Sequence, residues 1–181
     1  ADYFASLPEK LSWPEKVERW LAGYRAAKRE GKAAGLKVLL GMEIRFVHSP
    51  NDYLVYGLTE ELLRETVEPY RWSDEDFHRF SRDNGLFFAQ AHPFRSGLTR
   101  CEPAYLDGVE VYNGNRRHNS RNDEAAAFAN AHGLIPLSGS DFHEWEDLAE
   151  AGMLFQPPVT DSMDLICRLR EGRFQLYPEI S

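Results

Sequence analysis

Four short segments, far apart along the chain, carry side chains suited to holding a metal ion or a phosphate. They are Gly41-Met42-Glu43, Ala91-His92-Pro93, the single Asn113, and Gly139-Ser140-Asp141-Phe142-His143. A carboxylate with an imidazole suits Zn, Mn or Fe, whereas oxygen donors alone would suit Mg or Ca. Asp141 and His143 are two apart, so in extended chain both side chains point to one side. His92 precedes a proline, which disfavours helical backbone and predicts an extended conformation. Glu43, two residues past Gly41, could bridge two cations. Each residue also has a plain structural reading, as a surface glutamate at a strand end, a core histidine, or a capped glycine turn around Asp141. It is their joint occurrence that points to a site. Arg95, three residues past His92, is a candidate phosphate clamp because a guanidinium fork matches two oxygens, and it reads equally as an exposed loop arginine. Arg45, two from Glu43, would share its strand face and could pair with it. Glu110 and Tyr112 share a face opposite Val109 and Val111 and could line the pocket, while Arg116 and Arg117 read as a wet loop.

The elements that must position these groups follow from the apolar pattern. Ser12 and Pro14 open a helix running to about Gly35, with Val17, Trp20, Leu21, Tyr24 and Ala27 on one face. Apolar runs at 38–40, 53–56, 86–91, 108–112, 134–137, 152–155 and 174–177 read as strands. Thr59 and Ser73 are N-caps of two further helices, and other helices begin near residues 119 and 160. Strands alternating with helices predict an α/β domain. In such domains reactive groups collect beyond the carboxyl ends of strands. The four chemical segments each fall at a strand exit.

The chain has 181 residues, 43% of them hydrophobic, enough for one domain over 1–181 with a sizeable core. A net charge of −8 gives no global field for a polyanion, so non-specific nucleic-acid binding is not expected. A small phosphorylated substrate or nucleotide remains compatible where local cations reverse the sign. No apolar stretch approaches the roughly 18 residues that span a bilayer, and the first twenty residues do not resemble a signal peptide. Cys101 and Cys167 read as reduced thiols of a cytoplasmic protein.

The pieces GMEI at 41–44, AHP at 91–93, DGVEVYN at 107–113 and GSDFH at 139–143 resemble the later motifs of the PHP family, the polymerase and histidinol phosphatase domains. They occur in the family's order, and the likeness covers roughly residues 37–156. The resemblance implies a distorted (βα)7 barrel, a multinuclear cluster of divalent metals (Zn, Mn or Fe) and hydrolysis of phosphate esters. It implies metal ligation by Glu43, His92, Asp141 and His143. The family's opening HxH and TDH-like motifs have no counterpart in residues 1–36, where there is no histidine. The chain is therefore expected to begin in mid-domain, without the barrel's first strands. Near the strand at 53–56, where a further histidine is usual, stand Asn51 and Asp52. Asp52 is a substitute ligand or, more simply, a turn residue after Pro50. An uncovered sheet edge would favour a homo-oligomer. A non-catalytic PHP-like binding or structural domain is the alternative. An amidohydrolase-type metal barrel is disfavoured by the absence of a lysine at a strand exit.

Overall fold

Helices and apolar runs assemble into a mixed α/β fold, seen in a computed structural model that describes residues 3–179. The elements in chain order are α1 (Tyr3–Ser6), α2 (Trp13–Ala33), β1 (Gly41–Arg45), β2 (Asp52–Tyr56), α3 (Glu60–Glu65), α4 (Asp74–Asp83), β3 (Phe87–Gln90), β4 (Gly108–Asn113), α5 (Asn122–His132), β5 (Ile135–Gly139), β6 (Gly152–Leu154), α6 (Ser162–Arg170) and β7 (Gln175–Tyr177). The expected caps are present. Glu15 reaches back to accept from the Ser12 N–H at 2.8 Å, Thr59 accepts from the Leu62 N–H, and Ser73 accepts from the Asp76 N–H. No helix among the described residues is long and apolar enough to cross a membrane.

Strands β1 to β5 form one sheet in sequence order, and β6 and β7 form a separate antiparallel pair. The pairings β1–β2 and β2–β3 are antiparallel, while β3–β4 and β4–β5 are parallel. Among the described residues the sheet is open, and the distorted (βα)7 barrel without its first strands that the resemblance implies is not seen as a closed sheet. One cause is local. The connection 46–51 is too short for the crossover that a parallel pair requires, so β1 and β2 must run antiparallel. The first strand also starts later than its apolar run, because the ladder with β2 extends only from Gly41↔Tyr56 to Arg45↔Asp52.

Alternation sends side chains to two cores. Met42, Ile44, Tyr53, Val55, Phe88, Val109 and Val111 pack with Val17 and Leu21 of α2 and Phe77 of α4. Phe87, Ala89 and Leu137 pack on the other side with Ile166 and Leu169 of α6. Each such fully buried side chain stabilises the fold by about 2 kcal/mol. Glu43 and Glu110 belong to the second face by alternation with Met42, Ile44, Val109 and Val111. The expected burial of one α2 face holds in part: Val17 and Leu21 are fully buried and Trp20 and Tyr24 half-buried, while Ala27 is exposed.

Candidate metal centre

Strands β1, β3, β4 and β5 run in one direction, so their carboxyl ends share one edge of the sheet. Antiparallel β2 begins at that same edge. Asp52, its first residue, lies opposite Arg45, and its carbonyl accepts the Ala91 N–H at 2.9 Å. Asp52 is thus a buried strand residue and not a free turn residue. Glu43 sits within β1 opposite Leu54, two residues before the strand exit where the apolar pattern placed it. His92 follows β3. Ligand atoms of Glu43, Asp52 and His92 all lie within 4.8 Å of one another. His92 Nε2 stands 3.6 Å from Glu43 Oε1 and 3.9 Å from Asp52 Oδ2, ion-pair separations beyond hydrogen-bond length.

A cationic side chain braces one of the carboxylates. Arg45 forks Asp52, with Nε to Oδ1 at 2.9 Å and Nη2 to Oδ2 at 2.7 Å. The sequence suggested Glu43 as its partner; the antiparallel register instead sets Asp52 directly across from it. A carboxylate offers about four lone-pair positions, so Asp52 retains acceptor capacity beside this fork. Burial pushes the Glu43 carboxyl up, but the lowering contributions together, the contact with His92 foremost, leave the group below its ordinary value. Glu110 is wholly buried beneath His92, and that burial pushes its carboxyl up to about 7.

The backbone at His92 is not extended. Its φ is +30°, in the left-handed region, and its carbonyl opens a turn by accepting the Arg95 N–H at 3.1 Å. The turn and the His92 N–H bond to Glu110 override the bias imposed by Pro93.

The donor set fits a divalent cation. Only three buried side-chain polar atoms among the described residues lack a hydrogen-bond partner, and two of them, His92 Nδ1 and Arg95 Nε, are here. An unpaired buried polar atom costs about 1–3 kcal/mol. An imidazole with one nitrogen unpartnered and the other facing two carboxylates matches the mixed N/O chemistry of Zn, Mn or Fe.

Asp141 and His143 come together as their spacing predicts, but by a different route. Asp141 has φ +49, so a left-handed turn and not extended alternation sets its direction. Its Oδ2 accepts from Arg95 Nη2 at 2.8 Å, and Arg95 also reaches Ser120 Oγ at 3.3 Å. Burial pushes the Asp141 carboxyl up, yet the Arg95 charge more than offsets this and holds it below the usual range. His143 Nδ1 lies 2.8 Å from the Asp141 carbonyl and 3.5 Å from Asp141 Oδ1, with the side chain 63% exposed. Neither residue joins the group formed by Glu43, Asp52 and His92. Arg95 is therefore no free loop arginine. Arg117, expected in a wet loop, forks Asp147, which also accepts the His143 and Glu144 N–H groups. Asp147 carried no motif that singled it out.

A family model described as "PHP-associated" matches residues 119–174, which include Asp141 and His143. No curated protein matches the chain. Among solved structures, PsfC from Pseudomonas syringae superposes with a TM-score of 0.65 at 17% identity, over 87% of this chain and 75% of that one. A protein from Bifidobacterium adolescentis, called a "putative metal-dependent phosphoesterase", gives a TM-score of 0.48 at 15% identity, over 81% of this chain and 82% of that one. The PsfC likeness extends to the fold. The match over 119–174 is a likeness of that segment alone to the PHP-associated model.

Proposed function

We propose that this chain carries the metal centre of a PHP-type phosphoesterase acting on a small phosphorylated substrate or nucleotide. The observation that carries the reading is the convergence of Glu43 and Asp52, from two strands, and His92, from the turn after a third, within 4.8 Å. These three residues would hold a divalent cation, and Asp141 with His143 would supply donors for a second. A cation bound there would supply a bound water of lowered pKa and a counter-charge for phosphoryl oxygens. The chain's own contribution is orientation and charge. Arg45 fixes the Asp52 carboxylate, and Arg95, anchored on Asp141, keeps a guanidinium beside the carboxylates where an incoming phosphate needs a counter-charge.

The test is hydrolysis of p-nitrophenyl phosphate with added Mn2+ or Zn2+. Turnover should require the metal, vanish with a chelator, and be lost in Asp141→Ala. Turnover unaffected by the chelator or by that substitution would overturn the reading. One observation favours the alternative of a binding module: Asp141 is already occupied by Arg95, and His143 is mostly exposed. Saturable metal binding without hydrolysis would select that alternative.

A further inference from the structure

Along a regular strand, residues three apart face opposite sides. Glu110 and Asn113 of β4 break this rule, since Asn113 Nδ2 donates to Glu110 Oε2 at 3.1 Å and both side chains are buried. The β4–β5 ladder shows why. Its register shifts between Glu110 and Tyr112, and such an irregularity turns side chains that would diverge toward one side. The same Glu110 oxygen accepts the His92 N–H at 2.9 Å. The contacts continue from Asn113, whose Oδ1 accepts the Asn115 N–H, to Asn115 Nδ2, which donates to the Asp141 carbonyl at 3.2 Å. One polar chain at the end of β4 therefore links two left-handed residues, His92 after β3 and Asp141 after β5. Strand β5 leaves space for it at Gly139, where a Cβ would sit 3.1 Å from Glu110 Oε1.

We propose that Glu110 is the positioning residue of this centre: its Oε2 holds the His92 backbone in the turn that aims the imidazole at Glu43 and Asp52, and holds Asn113, through which Asp141 is placed. The proposal rests on reading the site as a metal centre. Glu110 acts through His92 and Asn113 and lies outside the ligand group. A buried acceptor of this kind is needed because a left-handed non-glycine residue persists only where its surroundings impose it.

The discriminating pair is Glu110→Gln and Glu110→Asp in the full chain. Both hydrogen bonds end on one oxygen, so glutamine keeps them while losing the charge. Aspartate keeps the charge but withdraws the oxygen by one methylene. Two readouts apply, amide hydrogen exchange at His92 in metal-free protein and calorimetric titration with Co2+. E110D should exchange the His92 amide about tenfold faster and bind Co2+ roughly ten- to a hundredfold more weakly. E110Q should stay near wild type on both. The reverse pattern, or unchanged His92 exchange in E110D, would overturn the proposal. If wild type itself fails to bind Co2+, the metal-centre reading falls, and the exchange measurement still decides whether Glu110 sets the His92 backbone.

Discussion

The rim of β1, β2 and β3 and the loop after β5 both offer carboxylate and imidazole, yet they present them differently. On the rim, Glu43 and Asp52 lie inside ladders and His92 is fixed from beneath by Glu110, so the three donors meet before any ligand arrives. In the loop, Asp141 is held by Arg95 and His143 projects into solvent. The difference teaches that strand backbone can preorganise a site, whereas a loop depends on ion pairs to hold its shape. It also orders the two positions. The rim should take the first cation, and the loop should contribute only once Arg95 releases Asp141.

The largest break in this comparison is His92→Ala, which should weaken Mn2+ binding by more than about a hundredfold in calorimetric titration. Affinity close to wild type would mean that the rim is not the primary site. Arg95→Met comes next. It should destabilise the fold by roughly 2 kcal/mol in chemical denaturation, because it strips a charged partner from Asp141. In the same variant Mn2+ affinity should rise, since Asp141 becomes available; a fall would show that Arg95 supports the cation.

Acid sensitivity sharpens the loop side. The Arg117 fork holds the Asp147 carboxyl below its ordinary value. A depressed folded pKa gives stability that is present above the unfolded value of about 4 and is lost as pH falls through the folded one. Asp147→Asn should therefore lower the melting temperature at neutral pH, and the gap to wild type should begin to narrow only as pH falls below about 4. A gap independent of pH would place the effect elsewhere. The smallest change is expected from His143→Ala, whose first-cation affinity should stay within about threefold of wild type because the side chain is mostly exposed.

Much of this arrangement was legible in the chain. Caps at Ser12, Thr59 and Ser73 and the apolar periodicity locate the helices, because these signals are local. Strand exits placed His92 and Asp141 near a common edge. What stayed hidden depends on pairing. Asp52 read either as a substitute ligand or as a turn residue after Pro50, because the strand-exit rule presumes parallel strands and β2 runs the other way. Arg45 was matched with Glu43 along its own strand, although its partner stands across the ladder. Glu110 and Asn113 could not be joined by alternation, since only the irregular register of β4 turns them together. The left-handed turns at His92 and Asp141 escape any rule for non-glycine residues, because tertiary hydrogen bonds impose them.

Anomalous diffraction from Mn2+-soaked crystals bears most directly on the central claim. A single strong peak in contact with Glu43, Asp52 and His92 is the result predicted. A peak at Asp141 and His143 with none on the rim, or no ordered cation at either place, would contradict it.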